Sequence, residues 1–161
     1  MVEYELDAAW VAAELGEQVA SLLNDPDVRM YVQEAMALRL KQLVQDNLGI
    51  VGRDRPKEWA PLNKRYAKRV MRPYATLYVS GQLSRSIKHA SYPDYAIVYQ
   101  DYADCPYGEV HQDGEGKMPE RPFFPIVNGE LTPLAQYELF DAAIKALDHI
   151  ATDLNPFMER L

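Results

Sequence analysis

The chain has 161 residues, 48% hydrophobic and 25% charged, with a net charge of −7. That is a globular composition, which sets aside disordered and collagen-like classes, and enough chain for one domain burying about 68–70% of its unfolded surface, but short for two cores. A lone Cys105 excludes an internal disulfide framework, the acidic Met-Val-Glu-Tyr-Glu-Leu-Asp start does not read as a signal peptide, and no apolar run is long enough to span a membrane. The expectation is a soluble protein made in the cytoplasm.

The charge is unevenly placed. Residues 1–52 carry 3 basic and 9 acidic side chains, residues 89–161 carry 4 and 13, and residues 53–88 carry 10 and 2. A basic segment inside an acidic chain steers a partner or orients self-assembly and says little about fold.

In chain order, residues 3–23 predict a helix, with Leu6, Trp10, Leu15, Val19, Leu22 and Leu23 near one stripe. Asp25 is a cap candidate for a second helix that starts at Pro26, where a missing N–H costs nothing. Val28, Val32, Met36, Leu40 and Leu43 keep helical spacing to about Asn47, and Gly49 follows as a permissive end. From Gly49 to Tyr74 the periodicity dissolves among prolines and the cations Arg53, Arg55, Lys57, Lys64, Arg65, Lys68, Arg69 and Arg72. Only 63–71 reads as helical, with Asn63 as its cap, and Trp59-Ala-Pro-Leu62 gives the loop an apolar anchor.

Ser80 caps a single turn over 81–85. Strands are expected near Ile87–Ser91 and over Tyr95–Gln100, joined by a Tyr92-Pro93-Asp94 turn. A short helix fits 107–111, and Phe123–Val127 reads as a further strand on which Phe123 and Phe124 would point in opposite directions. Asn128-Gly129 turns the chain, and Thr132-Pro133 opens a last helix. Its stripe is Tyr137, Phe140, Ile144, Leu147, Ala151 and Leu154, and Asn155-Pro156 should stop it. The expected fold is α+β: a small antiparallel sheet packed against long N- and C-terminal helices, with long mobile loops over 49–76 and 101–122. It reads as a single domain, 1–161, made of a helical region 1–48, a basic loop 49–76, a sheet region 77–127 and a C-terminal helix 132–154.

Catalytic signals are few. His111, Asp113 and Glu115, with Tyr107 four residues before the histidine, offer donors for a metal or an acid–base pair. Yet HxDxE matches no established ligand frame, and a closed zinc site takes more His or Cys. A polar turn whose histidine bonds to backbone is the plainer reading. No nucleophile elbow and no Gly-rich phosphate loop is present. Lys64, Arg65, Lys68, Arg69 and Arg72 recur at three- and four-residue spacings, which puts most of them on one side of a helix. Such a face suits nucleic-acid phosphates, or an acidic surface on the next subunit, and the acidic flanks favour the second.

Four motifs then occur in order: Trp59-x-Pro61-Leu62; Leu77-Tyr78-x-Ser80-Gly81-x-Leu83-x-x-Ser86-Ile87; Tyr107-x-x-x-His111-Gln112-x-Gly114; and Pro119-x-Arg121-Pro122-Phe123-Phe124. Together they resemble the Mu-like phage virion morphogenesis family, the tail completion proteins, over roughly residues 59–125. The 101–106 stretch is longer than the family's approach to the Tyr/His motif, and residues 1–23 have no counterpart in its pattern.

The resemblance implies a structural, non-enzymatic protein of the virion neck or tail, assembled in the host cytoplasm. It implies a homo-oligomeric ring, a hexamer among the expected forms, with the tail tube and head–tail connector proteins as partners. DNA at the neck is a further expected contact, with no membrane and no cofactor. The expected assembly residues are Arg53, Arg55, Lys57, Trp59, Lys64, Arg65, Lys68, Arg69, Arg72, His111 and Arg121. Arg121, held between prolines, is expected to make a fixed salt bridge. Two alternatives stand beside this: a nucleic-acid-binding module using 53–72, and a metal-dependent hydrolase on His111, Asp113 and Glu115.

Overall fold

In the computed structural model, which describes residues 2–49, 52–70, 77 and 80–158, the chain is built around one long helix. This is α3, Pro26–Asn47, and its start follows from local chemistry. The Asp25 carboxylate accepts from the amides of Asp27 and Val28, at 2.9 and 3.4 Å, while Pro26 takes the first helical position. Val32, Met36, Leu40 and Leu43 are buried as their spacing predicts, and Ala37 and Val44 broaden the stripe. The helix packs on a sheet along one side and on the last helix along another.

That sheet has the order β1-β3-β2, all antiparallel, from β1 (Glu3–Leu6), β2 (Ile87–Ser91) and β3 (Ala96–Gln100). β2 and β3 lie where alternation put them, and Ala96, Val98 and Gln100 face the core. On β2, His89 and Ser91 share the core side with Ile87, and both meet the Glu34 carboxylate of α3. β1 corrects the sequence reading, which made 3–23 one helix. Glu-Tyr-Glu-Leu instead pairs with β3, Tyr4 opposite Val98 and Leu6 opposite Ala96, because β3 would otherwise leave a row of backbone groups unpaired. Helix follows only as two short pieces, α1 (Ala9–Leu15) and α2 (Glu17–Leu22), broken at Gly16, whose φ of 89° suits glycine.

Further along come α4 (Lys64–Val70), α5 (Gln82–Arg85) and α6 (Gly108–Asp113), followed by a separate hairpin of β4 (Ile126–Val127) and β5 (Glu130–Leu131). Asn63 Oδ1 accepts the Arg65 amide at 2.9 Å, as the cap reading of α4 expects. The hairpin turns on Asn128 and Gly129, with φ of 53° and 85°, the twist-matched geometry that an Asn-Gly pair favours.

The strand expected over 123–127 is confined to Ile126–Val127, and the alternation of Phe123 and Phe124 fails: both side chains are fully buried. Residues 121–125 run as irregular buried backbone, so no pleat sends neighbours to opposite faces. The last helix, α7 (Pro133–Met158), is capped by Thr132, whose hydroxyl accepts the Ala135 amide at 3.3 Å. It runs past Asn155-Pro156 to Met158: the proline's missing N–H removes one helical bond, the one to the Thr152 carbonyl, and the helix ends two residues later. Its buried face is Ala135, Leu139, Ala143, Ala146 and Leu147, which shares only Leu147 with the predicted stripe; Phe140 and Ile144 flank it half-buried, and Tyr137 and Ala151 are exposed. Small alanines let α7 lie close to α3, so the face was chosen by fit to its neighbour and not by greatest hydrophobicity. Residues 71–76, Tyr78 and the Leu154 side chain lie outside the described residues.

Candidate functional site

Three of the four sequence motifs, those over 59–62, 107–114 and 119–124, meet in one place, where the loop after α3 meets residues 111–124. Asn47, fully buried at the end of α3, is its hub. Its Nδ2 donates to the carbonyls of Asp54 and Phe123, at 2.8 and 3.0 Å, and its Oδ1 accepts from the amides of Arg53 and Asp54, at 3.1 and 2.6 Å. Arg55 closes the same helix end: its Nε donates to the Asn47 carbonyl (2.8 Å) and an Nη to that of Gly49 (2.6 Å). Those carbonyls carry the negative end of α3, which suits a cation. The guanidinium lies 3.7 Å from the centre of the buried Trp59 ring, and Trp59 Nε1 donates to the Pro122 carbonyl at 2.9 Å.

The other half of this clamp comes from α6. The His111 carbonyl accepts the Arg121 amide at 2.7 Å, and the Gln112 side-chain oxygen accepts from Phe123 and Phe124, at 2.9 and 3.2 Å. Thus the buried, irregular 121–124 backbone has partners although it joins no sheet. Arg121 is buried and makes no salt bridge among the described residues; its Nε and an Nη donate to the carbonyls of Ala60 and Pro61, at 3.2 and 3.4 Å. Gly108 stands against the Gln100 side chain, where an added Cβ would come within 2.4 Å. Gln100 is itself held by the carbonyls of Asp101 and Cys105, at 2.7 and 2.8 Å.

The predicted site residues therefore divide. Arg55, Trp59 and Arg121 are spent inside the clamp, Arg53 pairs with the buried Glu138 of α7, which also holds Arg39, and Lys57 pairs with Glu120. Lys64, Arg65, Lys68 and Arg69 stay exposed on α4, and no ion pair among the described residues involves them; Arg69 sits 5.1 Å from the Tyr66 ring centre. Arg72 lies outside the described residues.

His111 lines a cleft of about 900 Å³ together with Tyr66, Tyr107 and Arg121. Its ring meets Tyr107 edge-on at 5.8 Å, and among the described residues its Nδ1 has no hydrogen-bond partner, so that nitrogen does not make the expected bond to backbone. Burial holds its pKa below the ordinary histidine value, and the Arg121 charge adds to this. Among the described residues no group of three or more His, Cys, Asp or Glu is placed to hold a metal, so His111, Asp113 and Glu115 do not converge as ligands. The clamp is a device for fixing loops.

The model of the phage virion morphogenesis family matches residues 11–148, most of the chain. The chain belongs to that family. No curated protein and no solved structure matches it significantly. The matched span of this virion morphogenesis protein runs from within α1 to within α7 and takes in the whole clamp, so residues 11–23 do have a counterpart in the family, contrary to expectation, while β1 lies outside it. Asn47 carried no motif, yet it falls one helical step beyond Leu40 and Leu43 on the buried stripe. A polar residue on such a stripe signals a satisfied buried group.

Proposed function

We propose that this virion morphogenesis protein completes the phage tail and joins it to the filled head, as one subunit of a homo-oligomeric ring, with a hexamer as the expected form. The family match over residues 11–148 carries the proposal. The placement of charge supports it: four basic side chains without an ion pair among the described residues, Lys64, Arg65, Lys68 and Arg69, sit together on α4, while the body of the molecule is acidic. Unlike surfaces on one subunit make head-to-tail contacts, and these close into rings when the rotation allows. The tail tube and the head–tail connector are the partners such a ring would meet.

Electron microscopy of induced lysates from a prophage lacking the gene tests this. Filled heads lying apart from tails support joining, and tails of abnormal length support termination. Intact, infectious particles overturn the reading. The exposed cations of α4 also suit DNA phosphates at the neck. That second reading requires retention on heparin that falls steeply with salt, and indifference to salt removes it.

A further inference from the structure

Away from the clamp, two surfaces of the same molecule complement each other. The first is α4, where Lys64 and Lys68, and likewise Arg65 and Arg69, stand four residues apart, so the four cations share one side of the helix. Tyr66 points elsewhere, lining the cleft with His111. The second is a groove of about 640 Å³ between β1 with α1 and the junction of β5 with α7. It shares no lining residue with that cleft.

The groove has an aromatic floor and an acidic rim. Trp10 and Phe140 stack at 5.7 Å between ring centres, and Tyr137, 69% exposed, stands beside them. Glu5, Asp7, Glu14 and Glu130 line it as exposed carboxylates. None of these four enters an ion pair among the described residues. Among the described residues Asp7 accepts only the nearby Ala9 amide. Like charges left together repel, and aromatic rings left wet forgo burial. Lys and Arg relieve both, because their cations pair with carboxylates and stack on aromatic faces while their stems cover apolar surface.

We propose that the cationic side of α4 on one copy docks into the Trp10–Tyr137–Phe140 groove of the next copy, setting four basic residues against four acidic ones. This rests on the ring reading above and names its contact. A second copy is the occupant because the two sets of charges are opposite in sign and equal in number. A nucleic acid would be repelled by the groove and leave it empty. Since the two surfaces differ, each copy offers one of each, and the contact propagates head to tail. Seven helical residues span about 10 Å, so one face of α4, rather than a whole helix, fills the groove.

Two charge-reversed proteins test it by sedimentation velocity at low and high salt. One carries K64E/R65E/K68E/R69E, the other E5K/E14K/E130K. All seven positions are exposed, so circular dichroism and thermal melts should match the wild type. The expected result is salt-sensitive association of the wild type, monomers for each variant alone, and restored association when the two are mixed. A wild type that stays monomeric at low salt and high concentration, variants that associate as the wild type does, or a mixture that stays monomeric each overturns the contact. The ring reading fails separately. If the deletion separates heads from tails and both reversed proteins rescue it fully, the protein acts in the neck through some other surface.

Discussion

Two adjacent stretches of the basic segment have opposite fates. Residues 53–59 bring Arg53, Arg55 and Lys57, and each finds a partner within the molecule: Glu138, the end of α3 and Glu120. Residues 64–69 bring four cations as well, and no ion pair among the described residues takes them up. Composition alone makes the two stretches look alike. What separates them is where acceptors lie, and those come from residues 6 to 85 positions away. A count of charges thus overstates an interface, and only cations left over after internal pairing are free to meet another molecule.

The comparison breaks most easily at the floor of the clamp. Phe123→Ala and Phe124→Ala are each expected to cost about 3–5 kcal/mol, because both rings are fully buried and in contact, with centres 5.5 Å apart. Urea denaturation should find both losses, and a small effect at either position would mean that one ring faces outward after all. Next come the polar members. Asn47→Ala and Arg55→Ala strip buried backbone groups of partners and should cost about 1–3 kcal/mol each, whereas Arg65→Ala should not be measurable beside them. Equal losses at Arg55 and Arg65 would erase the distinction between the two stretches.

A pH dependence sharpens the clamp side further. Burial, and then Arg121, depress the His111 pKa below its usual 6.5, so the unfolded chain takes up that proton first as pH falls. This contribution to stability is complete above the unfolded value and is lost as pH falls through the folded one. Melting temperatures followed from about pH 7.5 to about pH 5 should fall less steeply for His111→Asn than for the wild type. Parallel curves would show that the imidazole is freely solvated. The smallest effect belongs to α4. Replacing Lys64, Arg65, Lys68 and Arg69 together by alanine should leave stability within about 0.5 kcal/mol while abolishing self-association. A large drop in melting temperature would show that the helix is tied to its own fold.

Local chemistry wrote much of this fold in advance. Asp25-Pro26 and Thr132-Pro133 open the two long helices and Asn128-Gly129 turns the hairpin, because a cap, a missing N–H or a positive φ acts over three or four residues wherever they sit. The β2–β3 pair was equally legible, since period-two alternation and a proline turn lie together in the sequence. Other features depended on distant neighbours. Residues 3–6 became a strand because β3 had an open edge, although the stretch also fits a helical stripe. α7 turned its alanines inward because α3 lay against it. Phe123 and Phe124 are buried together because Gln112, Asn47 and Trp59 satisfy an irregular backbone that no sheet supports. The motifs that pointed to the family proved to be hydrogen-bonding and packing partners. Their residue types could be read from the sequence, but which carbonyl each would hold was decided only when the chain folded, since a hydrogen bond needs two groups within about 3 Å and the sequence carries no such distance.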